Sequence, residues 1–220
     1  MSQGRIFVIE GTDGAGKGTQ ARLLTELLEA KGFPVATLDF PRYGHPSAHL
    51  VESYLNGDYG TMADVTPQAA SILFAVDRFA AANEIRSQLE RGSIIIANRY
   101  SSSNMGHQAG KIADLNERAR FLDWLQELEH TYLKIPRPDR VFLLYLDADE
   151  AQRRVDLKEK REYTRGKKRD IAEEDTDHQR KSAEAYLWTA KRYGWDIIDA
   201  SGTEAEVHSR LLKQILPLLD

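Results

Sequence analysis

The stretch Gly11-Thr12-Asp13-Gly14-Ala15-Gly16-Lys17-Gly18-Thr19 sets one lysine among glycines, after the apolar run Ile6-Phe7-Val8-Ile9 and before a helix-forming run from Gln20 to Lys31. Strand, glycine loop and helix in that order form the context of a phosphate-cradling loop. Glycines let successive backbone N–H groups turn inward toward an anion, and the helix start adds partial positive charge. Lys17 adds a full charge against the outer phosphates. The chemistry implied is nucleotide binding. The spacing G-x-x-x-x-G-K is complete, but Gly18 stands where Ser or Thr is usual and Thr19 comes one place later.

Two further polar strings follow runs that read as strands. Phe40-Pro41-Arg42-Tyr43-Gly44 comes after Val35 to Asp39, and Asn98-Arg99-Tyr100 through Asn104, His107 and Gln108 comes after the β-branched run Ser93 to Asn98. Open α/β sheets bind ligands at such strand ends. Phe74 and Arg78 are four apart on a helix expected from Pro67 to Arg91, so they share a face. That pair reads either as core plus surface or as a base-stacking ring beside a polar reader, and this helix alone leaves both open. The charged run Lys158 to Asp170 is either a solvated loop or a segment that closes over an anion.

These strings need a scaffold. Strands are expected at Arg5 to Glu10, Val35 to Asp39, Ser93 to Asn98, Arg140 to Asp147 and Trp195 to Asp199. Helices are expected at about Thr19 to Lys31, Ser47 to Tyr54, Pro67 to Arg91, Leu115 to His130, Glu150 to Lys160, Asp175 to Tyr193 and Glu204 to Leu219. Such alternation argues an α/β fold, a doubly wound parallel five-stranded sheet flanked by helices, within a single domain over residues 1–220. The 220 residues are 41% hydrophobic and 29% charged, ordinary for a globular chain. A net charge of −4 implies no general affinity for nucleic acid. The absence of cysteine excludes disulfides, thiol nucleophiles and thiolate metal sites, and fits a reducing compartment. The first apolar run is too short for a signal peptide and none reaches membrane-spanning length, so the expected location is the cytoplasm, without a membrane partner.

Taken together, the motifs resemble those of the thymidylate (dTMP) kinases, within the P-loop nucleoside-monophosphate kinases. Glu10 to Lys17 is similar to the family's E-G-x-D-G-x-G-K loop, Phe40-Pro41-Arg42 to its F-P-R motif, and Phe74 to Arg78 to its F-x-x-D-R helix. Asn98 to Gln108 is similar to its D-R-Y-x-x-S-x-x-A-Y-Q segment, and Asp170 to Asp175 falls where the lid ends in an acidic pattern. The resemblance implies transfer of the γ-phosphoryl group of ATP to dTMP, with Mg2+ accompanying ATP, and a homodimer. It implies an ATP side made by Gly11, Asp13, Gly14, Ala15, Gly16, Lys17, Gly18 and Thr19, with cations such as Arg165 and Lys167 (or Arg161) from a lid near residues 158–172. For dTMP, in a region near residues 40–110, it implies Arg42 and Arg99 at the acceptor phosphate, Phe74 stacked on the base, Arg78 and Asn104 on the base edge, Asp13, Tyr43 and His107 around the sugar, and Phe40 and Gln108 among the further binding residues. Asp170 and Glu173 are carried over from the lid end. Lys17, Arg42 and Arg99 are the implied catalytic cations. Phosphoryl transfer needs positioning and charge stabilisation, and arginine's planar fork suits phosphate.

Three positions depart from the family pattern. Gly18 lacks the hydroxyl that usually touches Mg2+, which leaves Thr19 near the metal shell, and Asn98 replaces an aspartate, keeping an oxygen donor but losing its charge. Mg2+ is then expected to rest mainly on phosphates and water. His107 stands where tyrosine is usual, which predicts weaker discrimination against ribonucleotides. A kinase for AMP, UMP or CMP, and a P-loop module that binds nucleotide without catalysis, are the competing readings. A GTPase lacks support because no N-K-x-D sequence is present.

Overall fold

The computed structural model describes residues 4–146, 150, 151, 153, 154 and 171–219, with only the backbone of Glu173 and Glu174. Five strands follow from the apolar runs: β1 (Arg5–Gly11), β2 (Val35–Asp39), β3 (Ile94–Asn98), β4 (Arg140–Tyr145) and β5 (Asp196–Asp199). They form one parallel sheet in the order β2-β3-β1-β4-β5, with Val8 of β1 opposite Ala97 of β3 and Val141 of β4. The strands of such a sheet are covered on both faces, and successive residues of a strand point to opposite sides. Phe7 and Ile9 accordingly pack with Leu24, Leu28, Leu211 and Ile215, while Ile6 and Val8 pack with Ala81 and Ile85. Each large apolar side chain so buried contributes about 1.5–3 kcal/mol.

The helices are α1 (Lys17–Ala30), α2 (His49–Leu55), α3 (Pro67–Glu90), α4 (Ser101–His107), α5 (Leu115–Gln126), α6 (Ile171–Glu174), α7 (Thr176–Tyr193) and α8 (Glu204–Ile215). Capping chemistry sets several starts. Thr66 accepts from Ala69 N–H ahead of Pro67, Asp114 accepts from Asn116 and Glu117 N–H, and Thr203 with Glu206 forms a reciprocal capping box. Among the described residues no helix is long and apolar enough to cross a membrane.

Three local expectations change. Helix α1 begins at Lys17 rather than Thr19, because Gly16 adopts left-handed backbone (φ 84°) and turns the loop directly into the helix. The polar string after β3 is helical as α4, although Ser and Asn are modest helix formers; packing against α7 and side-chain hydrogen bonds to Glu10 override propensity. The expected helix to His130 instead ends at Gln126 and passes into a π-helical stretch, Glu127–Tyr132. That widened turn carries Glu129 into the interior, where it is fully buried. Of the lid expected near residues 158–172, residues 158–170 lie outside the described residues, as does most of the helix expected from Glu150 to Lys160.

Candidate active site

In a parallel sheet all C-terminal strand ends share one edge. Gly11 at the end of β1, Phe40 after β2 and Arg99 after β3 therefore converge without further design. The glycine loop curls at Gly14 (φ 85°) and Gly16 (φ 84°), a backbone region L side chains rarely adopt. A Cβ on Gly14 would also collide with the Ala151 carbonyl oxygen, so this position is closed to larger residues twice over. Lys17, in the first turn of α1, holds its ammonium at the loop: Nζ donates to Thr12 O at 2.8 Å and lies 3.6 Å from Asp13 Oδ1.

Glu10, fully buried at the end of β1, organises the centre. Its Oε1 accepts from Gly11 N–H (3.0 Å) and Tyr186 O–H (2.9 Å), and its Oε2 from the hydroxyls of Ser102 and Ser103 (2.8 Å each). Arg99 lies across it, with Nη1 3.7 Å from Glu10 Oε1 and Nη2 2.5 Å from Asp13 Oδ1. Burial opposes the Arg99 charge, but the Asp13 carboxylate, assisted by Tyr186, Glu10 and Tyr43, outweighs it and raises the pKa. Arg99 is also one of two non-glycine residues with positive φ among those described (66°), a strained backbone that the surrounding contacts must hold.

Arg99 Nη1 lies 3.0 Å from His107 Nε2. A guanidinium only donates, so Nε2 accepts and the ring proton sits on Nδ1. Burial first, then the Arg99 charge, push the His107 pKa well below its usual value, so the ring is neutral. It stacks on His178 and meets Tyr186 edge-on (centroids 5.8 and 5.3 Å).

Arg42 is fixed by Asp77 of α3. Asp77 accepts from Arg42 N–H (2.8 Å) and Nε–H (3.0 Å), its backbone oxygen accepts from Nη2 (3.1 Å), and Ser47 bridges the two side chains. The guanidinium carbon is 5.9 Å from the Phe40 ring.

Between these cations and α3 lies a cavity lined by Asp13, Phe40, Tyr43, Phe74, Arg78, Arg99, Asn104, His107 and Gln108, with Tyr54, Met62 and His178. It brings together every described residue that the resemblance assigned to dTMP apart from Arg42, which borders it through Phe40 and Pro41, and Glu173, whose side chain is not described. Phe74 meets Tyr54 edge to face at 6.1 Å. Arg78 is only 1% exposed, so core plus surface does not describe the pair. It forms a bidentate bond with Glu129 at 2.7 and 2.6 Å. Gln108 lines the cavity and is buried, and its Oε1 has no hydrogen-bond partner among the described residues. Arg161, Arg165, Lys167 and Asp170 lie outside the described residues.

At the C-terminal ends of β2 and β3, Asn98 Nδ2 donates to both oxygens of Asp39 (3.1 and 3.0 Å). Its Oδ1 is buried and without a hydrogen-bond partner among the described residues. Gly18 stands next to it, since a Cβ there would lie 3.9 Å from Asn98 Nδ2. Thr19 occupies the first turn of α1. Among the described residues no group of three or more His, Cys, Asp or Glu could hold a metal ion alone. One orphaned amide oxygen, one hydroxyl and a nearby carboxylate fit a hard cation that keeps most of its shell from water and phosphate.

Reading the sequence missed Glu10, Asp77, Glu129 and Tyr186 as site residues. Glu129 had a signal: it stands four residues after Leu125 on an apolar face, where a carboxylate must find a partner.

Comparison with known proteins follows the same geometry. The family model "Thymidylate kinase" matches residues 9–211. The thymidylate kinase of Mycobacterium tuberculosis (strain H37Rv) is 34% identical over 191 residues, covering 86% of this chain and 87% of its own. A probable thymidylate kinase of Thermococcus kodakarensis is 32% identical over 221 residues, covering 97% and 98%. The solved structure of thymidylate kinase from Candida albicans superposes with a TM-score of 0.73 at 24% identity, covering 100% of this chain and 92% of that one, which speaks for the fold. A glycine loop beside a cation-rimmed cavity, a family model across nearly the whole chain and relatives above 30% identity lead to one conclusion: the chain belongs to the thymidylate kinase family.

Proposed function

We infer that this chain transfers the γ-phosphoryl group of ATP to the 5′-phosphate of dTMP, giving dTDP and ADP. The observation that carries the reading is one cavity lined by Phe74, Arg78, Asn104 and Arg99, with Arg99 and Lys17 both drawn to Asp13 Oδ1. In that arrangement the base stacks on Phe74, with Arg78 donating to O4 and Asn104 accepting from N3–H. Tyr43 lies along the sugar, with Asp13, His107 and Gln108 near its hydroxyl edge. Arg42 and Arg99 hold the acceptor phosphate, and an oxygen of that phosphate attacks the γ-phosphorus in line as the bridging oxygen to the β-phosphate leaves. The acceptor is already an anion, so no general base is required. The loop amides of Gly11 to Thr19 and Lys17 hold the β- and γ-phosphates, and Arg165 and Lys167 of the lid carry the same assignment from the resemblance.

Mg2+ bound with ATP would neutralise phosphate charge. Asn98 Oδ1 and the Thr19 hydroxyl would hold it through water. We place the enzyme in the cytoplasm, which a chain without cysteine tolerates. We also propose a homodimer. Ile72, Val76 and Phe79 form an exposed apolar stripe on α3, with Phe79 53% exposed; sedimentation equilibrium of Phe79→Glu should show monomer where the parent shows dimer.

The function is tested by ADP release with ATP and a panel of dTMP, dUMP, AMP, UMP and CMP. Highest kcat/KM with dTMP, and a loss of about 10³-fold or more on Arg99→Ala, are expected. Equal turnover of the other monophosphates overturns the reading.

A further inference from the structure

Two cavity residues that would meet the edge of the base are held by a third residue behind them. Glu129 Oε2 accepts from Arg78 Nε–H at 2.7 Å, and Oε1 accepts from Arg78 Nη2 at 2.6 Å and from Asn104 Nδ2 at 3.2 Å. Asn104 Nδ2 also donates to the Ser71 carbonyl oxygen at 3.1 Å. A carbonyl and a carboxylate can only accept, so the Asn104 NH2 must face them. The amide oxygen is then the atom Asn104 presents to the cavity it lines. Arg78, with Nε and Nη2 engaged behind, presents its Nη1 edge as a donor. Side by side the cavity offers a donor and an acceptor.

That order complements a 4-keto pyrimidine, which shows an acceptor at O4 and a donor at N3. A 4-amino pyrimidine shows the reverse at both positions, a donor against Arg78 and an acceptor against the Asn104 oxygen. We propose that Glu129 is a positioning residue which sets the polarity of the base-reading pair and thereby selects 4-keto over 4-amino pyrimidine nucleotides. The proposal rests on the placement of the base between Phe74 and this pair. With Gln at position 129, one of its two polar atoms becomes a donor. Either Arg78 loses an acceptor, or the new NH2 faces the Asn104 NH2, donor against donor, and Asn104 is displaced or turns its oxygen against the Ser71 carbonyl oxygen. Both changes weaken the keto preference. A buried site that loses complementarity at two positions discriminates on the order of 10³-fold or more.

The test compares dTMP with 5-methyl-dCMP, which differ only in the 4-keto, N3–H edge against the 4-amino, N3 edge. The parent enzyme should favour dTMP by on the order of 10³-fold in kcat/KM. Glu129→Gln should lower that ratio at least tenfold, leaving KM for ATP unchanged, and Glu129→Asp, which keeps a carboxylate, should restore most of it. A role in folding alone would depress both nucleotides equally. An unchanged ratio in Glu129→Gln, with the parent still discriminating, overturns the inference and leaves the base placement standing. No discrimination by the parent overturns the base placement itself. Should Glu129→Gln fail to fold by circular dichroism, Glu129→Met, assayed at reduced temperature, takes its place: it keeps the side-chain length and removes both acceptor oxygens from Arg78 and Asn104. A ratio lowered at least tenfold supports the inference and an unchanged ratio overturns it.

Discussion

Asp77→Asn isolates the contribution of a residue that touches no proposed substrate group. The side chain keeps its shape, but the carboxylate that holds Arg42 N–H at 2.8 Å and Nε–H at 3.0 Å becomes a neutral amide, one of whose atoms donates. Two bonds survive: Arg42 Nη2 to the Asp77 backbone oxygen at 3.1 Å and to Ser47 Oγ at 2.7 Å. Arg42 is therefore loosened, not released. A hydrogen bond to a charged group contributes about 1.5–3 kcal/mol; if that orientation is used in the transition state, kcat/KM for dTMP falls about 10- to 150-fold. Stability should fall less than for a sealed ion pair, because the Arg42 side chain is 17% exposed and water can replace part of the loss. The assay is ADP release at saturating ATP with dTMP varied, beside a thermal melt, repeated in the Arg42→Ala background. Where Arg42 is already removed, Asp77→Asn should cost less than twofold. The reasoning is refuted if Asp77→Asn alone stays within twofold of the parent, or if the two losses multiply in full.

Asn98→Asp places a second carboxylate against Asp39, where Asn98 Nδ2 now lies 3.0 and 3.1 Å from its oxygens. The expected result is a lower melting temperature without Mg2+ and a lower half-saturating Mg2+ concentration in turnover; a metal requirement that stays level or rises removes the metal reading. His178, with its pKa lowered to about 4 chiefly by burial and then by Lys111, against an ordinary value of 6.5, gives a pH test. Between those values the unfolded chain binds a proton that the folded chain does not, so stability is full above pH 6.5 and falls as the pH drops toward 4. The limiting slope is about 1.4 kcal/mol per pH unit. His107, shifted the same way, adds to it. Urea midpoints from pH 7.5 to about 4.5 should flatten in His178→Gln; an identical slope would show that His178 titrates normally. Gly106→Ala puts a Cβ into the ring of Tyr186, a clash costing about 1–3 kcal/mol. A lowered Tm and reduced turnover are expected, since Tyr186 O–H anchors Glu10; an unchanged Tm would mean the ring shifts freely.

Much of this was legible in the order of residues. The glycine loop, the F-P-R string and the Asn-Arg-Tyr string are contiguous segments whose placement follows from a strand ending and a parallel sheet gathering its ends on one edge. Helix α4 was not legible, because its Ser and Asn residues are modest helix formers and settle as helix only once Glu10 accepts from the Ser102 and Ser103 hydroxyls and Tyr186 covers Gly106. Nor was the π-helical turn, which replaces an ordinary helix continuation and lets Glu129 reach Arg78.

The sequence by itself determined the fold class and singled out the glycine loop as a phosphate-cradle candidate, because strand–loop–helix periodicity and glycine spacing are local properties of the chain. Only the tertiary structure decided how the cations are aimed: Asp13 is paired with Arg99 across 86 residues, Asp77 with Arg42 across 35, and Glu129 with Arg78 across 51. Each pairing depends on which helix faces which strand end, and so on burial and packing that residue order does not record. Of Phe74 and Arg78 the helical spacing said that they share a face, and the motif resemblance implied a base beside them; the packed chain turned both toward a cavity and set Glu129 behind Arg78.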